Sequence, residues 1–127
     1  MADHLERAAD TGSRLGLGNM LTMDGGALGF SGQRIVEIAR ALVGNPMLIC
    51  LDEATSGLDV NERREIREVL ETVRAGGVAL CVVEHDTELI ATLCDRVTVL
   101  DHGVVIAEES GQAVFKDRSV IQSYFGQ

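Results

Sequence analysis

Residues 47–59 read Met47-Leu48-Ile49-Cys50-Leu51-Asp52-Glu53-Ala54-Thr55-Ser56-Gly57-Leu58-Asp59. Five apolar residues end in two adjacent carboxylates, and a Ser-Gly-Leu-Asp turn follows. An apolar run of this length bounded by turn residues suits a strand buried on both faces of a parallel sheet. Acids at the carboxyl end of such a strand lie where open α/β sheets bind ligands. The chemistry that this pattern points to is magnesium-assisted attack of water on a phosphoryl group. Asp52 would help to hold the metal, and Glu53 would orient or activate the water.

Working outward, a helix is expected from about Ser31 to Val43, apolar on most faces and therefore deeply buried. Gly44-Asn45-Pro46 stops it. Asn61 is the expected cap of a second helix, whose Ile66, Val69, Leu70 and Val73 recur at helical spacing until Gly76-Gly77. Val78 to Val83 is a second apolar strand, and Asp86 can cap a helix with Leu89, Ile90 and Leu93 inward. Asp101-His102-Gly103 between two apolar runs predicts a β-hairpin, which would add antiparallel strands at one side of the sheet. Ala2 to Arg14 is polar and helical, Met20 to Gly29 is irregular, and the tail holds two short helices. Alternating strands and helices predict an α/β fold with a parallel sheet.

The order of motifs resembles the ATP-binding cassette family. Leu48 to Asp52 is similar to its Walker B strand, Glu53 falls on the catalytic glutamate, and Ser56-Gly57-Leu58-Asp59 falls on the D-loop. Leu28-Gly29-Phe30-Ser31-Gly32-Gln33 resembles the signature motif, and Glu84-His85-Asp86 carries the switch histidine. Asp95-Arg96-Val97, Leu100-Asp101-His102-Gly103 and the closing 120–126 segment resemble the branched-chain amino-acid transporter ATPases.

The resemblance implies a partial P-loop NTPase fold, with residues 1–127 as the C-terminal portion of one nucleotide-binding domain. It implies ATP and magnesium as cofactors. Glu53 and His85 would be catalytic, Asp52 would reach magnesium through water, and Asp59 would make the D-loop contact across a dimer. Gly29, Phe30, Ser31, Gly32 and Gln33 would place a helix N-terminus against the γ-phosphate of a second nucleotide-binding domain. A gapless register puts Gly29 where the family has serine and Ser31 where it has a close-approach glycine. The alternative register uses Ser31-Gly32-Gln33 and shortens the helix by two residues.

A P-loop needs a glycine-rich turn ending in Gly-Lys-Ser/Thr. The single lysine, Lys116, lies in Phe115-Lys116-Asp117, so the Walker A half is absent from these 127 residues. The expected function is that of the ATP-binding subunit of an importer for branched-chain amino acids, working with permease subunits. The alternatives are a catalytically silent module that docks on a permease or an intact ATPase, and a head fragment of a chromosome-maintenance ATPase. The acidic charge, short loops and tail disfavour the last.

A net charge of −9 argues against nucleic acid as a partner. Arg63, Arg64, Arg67 and Arg74 alternate with glutamates on one helix, which suits a solvated face. Cys50 and Cys81 are expected to be small buried thiols of a reducing compartment, and Cys94 forms no CxxC with them. His85, Asp86 and His102 lack metal-ligand spacing. No apolar stretch is long enough to span a membrane. The expected location is cytoplasmic, at the inner face of the cell membrane through permease subunits.

Overall fold

The computed structural model describes residues 2–126, in two compact units divided after Val83.

The first unit holds α1 (Ala2–Arg14), α2 (Phe30–Leu42), β1 (Leu48–Asp52), α3 (Val60–Ala75) and β2 (Ala79–Val83). Two short 3-10 turns, Gly18–Met20 and Gly25–Ala27, occupy the irregular stretch before α2. The stripe Ile66, Val69, Leu70 and Val73 on α3 is wholly buried, as its spacing requires. On α2 the buried set is Gly32, Ile35, Ile38 and Ala39, a single stripe. The expectation of burial on most faces is corrected, because Gln33, Glu37 and Arg40 face solvent. Arg7 of α1 ties back by donating from Nη2 to the Val43 carbonyl at 2.9 Å.

β1 and β2 pair in parallel, with Leu48↔Ala79, Cys50↔Cys81 and Asp52↔Val83 in register. The two strands are not buried on both faces. Ile49 is buried and Leu51 half-buried, while Leu48, Cys50 and Asp52 are exposed, and β2 alternates in the same way. Register explains this, since in-register residues of parallel strands share a face. Helices of the unit cover one face only. Cys50 and Cys81 are therefore exposed thiols rather than buried ones.

The predicted Asn61 cap is also corrected. Asp59 caps α3, accepting from the Glu62 N–H at 2.9 Å, while the Glu62 carboxylate accepts from the Asp59 N–H at 2.9 Å. This reciprocal capping box satisfies two helix donors that would otherwise be orphaned. Asp59→Ala is expected to cost about 1 kcal/mol, measurable as a lowered urea midpoint.

The second unit holds α4 (Thr87–Leu93), β3 (Val97–Asp101) and β4 (Val104–Glu109). Asp86 caps α4 as expected, accepting from the Glu88 and Leu89 N–H groups. The hairpin turns at His102 (φ 48°) and Gly103 (φ 79°), the two consecutive left-handed residues of a type I′ turn. Among the described residues β3 and β4 pair only with each other, so the hairpin is a separate two-stranded sheet and not an addition to β1–β2.

Val99, Ala107, Val114 and Val120 form the core of this unit, with Ile90, Val97, Ile106 and Phe115 packed around it. The tail continues as a 3-10 turn, Val114–Lys116, one α-helical turn, Arg118–Val120, and a π turn, Ile121–Phe125. Tyr124 fastens the tail by donating its hydroxyl to the Leu100 carbonyl at 2.9 Å.

The Ser119 hydroxyl, followed by the Ser119 N–H, holds the Asp117 carboxyl below its ordinary 3.8. A depressed carboxylate pKa contributes stability above the unfolded value, and this is lost as pH falls through the folded value. Ser119→Ala is expected to move the Asp117 titration upward toward 3.8 in an NMR pH series.

Candidate functional site

Three groups of candidate residues sit at element ends. Asp52 and Glu53 lie at the carboxyl end of β1, with both side chains exposed. The Glu53 N–H donates to the Val83 carbonyl at 2.8 Å, which extends the parallel ladder one residue past the strand. Glu53 itself has a left-handed backbone, φ 51°. That conformation costs a non-glycine residue about 1–3 kcal/mol. It turns the chain at the end of the strand.

The segment after Glu53 is locked. Ala54, Thr55 and Leu58 are buried. Ser56 N–H donates to the Glu53 carbonyl at 3.1 Å, and Gly57 takes φ 77°. Arg63 Nε braces the Leu58 carbonyl at 3.0 Å. The left-handed backbone at Glu53 reverses the usual order of substitutions. Glu53→Gly should be more stable than Glu53→Ala by about 1 kcal/mol, and equal unfolding midpoints would count against it.

The signature-like residues form the start of α2. Gly29 is the N-cap with φ −64° and ψ 172°, and no side chain caps the helix. Phe30, Ser31 and Gly32 occupy the first turn, where N–H groups have no partner within the helix. Gln33 N–H returns to the Gly29 carbonyl at 3.0 Å, and its side chain donates to the Leu28 carbonyl at 3.0 Å. Gly32 is the close-approach glycine of this turn, because a Cβ there would lie 3.3 Å from Leu28 Cβ. A Cβ on Gly29 meets nothing within 4 Å. Serine is a preferred N-cap, better than glycine by a few tenths of a kcal/mol. Gly29→Ser is therefore expected to leave the fold intact with a small gain, read as a slightly raised melting temperature.

Two cavities flank these groups. One of about 550 Å³ is bordered by Gly29, Ser31 and Gly32, with Leu15 and Leu17 after α1 and Val69 of α3. The other, about 280 Å³, lies between α2 and β1 and is bordered by Asp52, Ala54, Arg34 and Glu37. No residue borders both. Within this unit the signature-like turn and the β1 carboxylates thus serve separate spaces. Asp59 is exposed but spends its carboxylate on the α3 cap. His85 is exposed, follows β2 and belongs to the second unit.

The fit of a magnesium ion can be judged from the donors. No group of three or more His, Cys, Asp or Glu able to hold a metal occurs among the described residues. Magnesium at a nucleotide needs only one or two carboxylates, its other ligands being water and phosphate. An exposed Asp52 at a strand end suits that minimal role. Sequence reasoning missed Glu62 and Arg63 as supports of the turn. The spacing Asp59-Val60-Asn61-Glu62 is the capping-box signal that could have found the first.

No family model matches the chain. It is 30% identical over 127 residues to the high-affinity branched-chain amino acid transport ATP-binding protein LivG of Escherichia coli strain K12, covering 99% of this chain and 50% of that protein. The cobalt import ATP-binding protein CbiO of Rhodobacter capsulatus is 39% identical over 89 residues, 70% of this chain and 32% of that protein. The ADP conformation of an ATP-binding cassette of an ABC transporter superposes with a TM-score of 0.88 at 27% identity, over 98% of this chain and 51% of that one. The chain spans about half the length of LivG. No helix among the described residues is long and apolar enough to cross a membrane. The chain is a homologue of the ATP-binding proteins of ATP-binding cassette transporters and carries the α/β fold of their ATPase cassette over about half its length.

Proposed function

We propose that the chain is the C-terminal portion of the nucleotide-binding domain of an ATP-binding cassette importer, coupling ATP binding and hydrolysis to uptake of branched-chain amino acids. The observation that carries this is the similarity to LivG along nearly the whole chain. The partners are permease subunits and a second nucleotide-binding domain, and the location is the cytoplasmic face of the membrane. The separate cavities beside Ser31 and Asp52 support a division of labour between two subunits. The start of α2 would meet the γ-phosphate held by a partner, and the end of β1 would serve the chain's own nucleotide.

When bound, magnesium supplies charge neutralisation of the phosphates. Asp52 would hold it, Glu53 would orient the attacking water, and His85 would contact the γ-phosphate. Asp59 reaches the partner from the start of α3. Ser31 and Gly32 offer backbone N–H donors to the partner's phosphate, with Gly29, Phe30 and Gln33 shaping that turn. The exposed face of Leu48 and Val83 favours a second reading, a silent module docked on an intact ATPase.

The 127-residue chain alone is expected to show no ATP turnover, because it contains no P-loop lysine. The test is a chimera in which the chain replaces the matching half of LivG. ATPase activity that falls on the order of a hundredfold or more with Glu53→Gln supports the reading. A chimera that folds and binds ATP but whose turnover ignores Glu53 sinks the catalytic assignment and leaves the docking module.

A further inference from the structure

Leu58 and Asp59 are joined by a peptide group whose two polar ends are both held by side chains. The Leu58 carbonyl accepts from Arg63 Nε at 3.0 Å, and the Asp59 N–H donates to Glu62 Oε2 at 2.9 Å. The two holders are consecutive residues near the start of α3. Arg63 also donates its backbone N–H to the Asp59 carbonyl at 2.9 Å, so it serves two successive carbonyls. We propose that Glu62 and Arg63 are a pair of positioning residues. They fix the plane of the Leu58–Asp59 peptide, and with it the direction in which the turn 56–59 meets the second nucleotide-binding domain. This rests on the reading of Asp59 as the contact across the dimer.

A helix does not hold this peptide by itself. Its ladder begins with the carbonyl of the N-cap, here Asp59, so the Leu58 carbonyl and the Asp59 N–H lie outside it. A peptide plane left to water can rotate through its two flanking dihedrals while the side chains beside it stay in place. Those side chains are anchored in this turn. Leu58 is 5% exposed and its N–H donates to the Thr55 carbonyl at 3.3 Å, while the Asp59 carboxylate accepts from the Glu62 N–H. The peptide plane is the freedom left, and the two side chains restrain it. Their charges suit the two ends of the peptide dipole. The carboxylate takes the N–H and the guanidinium takes the carbonyl, each as a charge-assisted bond. Lysine is no substitute at 63, because an ammonium on a flexible stem lacks the planar, pre-organised donor of the guanidinium. The consequence for hydrolysis is one of orientation. A misplacement of about 1 Å can cost on the order of a hundredfold in rate. Affinity for ATP resides mainly in the phosphate cradle, and it is set elsewhere in the domain, since the chain contains no P-loop lysine.

The first measurement is amide hydrogen exchange on the full 127-residue chain. Arg63→Lys and Glu62→Ala should each speed exchange at the Asp59 N–H by about tenfold, while Leu70 on the same helix stays within about twofold. Glu62→Gln keeps an acceptor and should stay close to native at Asp59. A uniform rise along α3 would mean a cap that only stabilises the helix, and it overturns the proposal, as does unchanged exchange at Asp59. The second measurement uses the chimera with LivG. Arg63→Lys is expected to lower kcat about tenfold and to leave KM for ATP within about twofold, at an unchanged stoichiometry of ATP binding. The stoichiometry separates misdirected turns from a smaller folded fraction. Turnover that depends on Glu53 but ignores Arg63→Lys overturns the proposal and leaves the proposed function standing. Turnover that ignores Glu53 as well overturns both.

Discussion

Gly111→Ala should unfold the C-terminal unit at temperatures where the native chain is folded. Gly111 follows β4 and is buried against the end of α4. A Cβ there would strike the carbonyl oxygens of Cys94 and Ile90, the latter at 2.5 Å. Both are backbone atoms, so no rotamer change relieves the clash. Overpacking of a core typically costs about 1–3 kcal/mol, and a rigid backbone neighbour puts this position at or beyond the upper end. Hydrogen exchange is the direct measurement, because protection at Val99 and Ala107 should collapse. Unchanged protection and an unchanged melting temperature would mean that the chain leaves β4 by a different path.

Leu70→Ala should cost the other unit about 2–5 kcal/mol, as large-to-small substitutions in cores do. Leu70 is fully buried, at 0% exposure, on the inward stripe of α3. The functional consequence follows from position. α3 begins at the Asp59 cap, and its Arg63 braces the turn that leads back to Glu53. Loosening α3 therefore loosens the carboxylate end of β1. Leu48→Ala is the control, since Leu48 is 53% exposed on β1 and its truncation should stay within about 0.5 kcal/mol. The comparison is read from urea midpoints at constant slope. Equal effects at the two positions would mean that the exposed face of the sheet is covered in solution.

Much of the chain was legible from residues alone because its signals are local. The α3 stripe, the Asp86 cap and the His102-Gly103 turn are each decided within a few residues. Their outcome depends on backbone geometry and helical period, which sequence reports directly. The family resemblance was legible for the same reason, and similarity to LivG and the solved cassette agrees with it.

Sequence reasoning failed where burial is shared between distant elements. An apolar run such as Leu48 to Leu51 shows that a strand can be buried, not how many of its faces are covered. Only the parallel register of β1 with β2 shows that Cys50 and Cys81 meet on one open face. The Asn61 cap failed more narrowly, because Asp59 and Asn61 are both good caps and the reciprocal Glu62 contact decides between them.

The sequence by itself determined the order of elements and the adjacency of Asp52 and Glu53, since both follow from short-range chemistry along the chain. Tertiary structure alone revealed the left-handed turn at Glu53, whose N–H pairs with Val83 thirty residues away in sequence. It also decided that the start of α2 and the end of β1 open on separate cavities. The physical reason is the same in both cases: packing and strand pairing join residues whose separation along the chain carries no local signal.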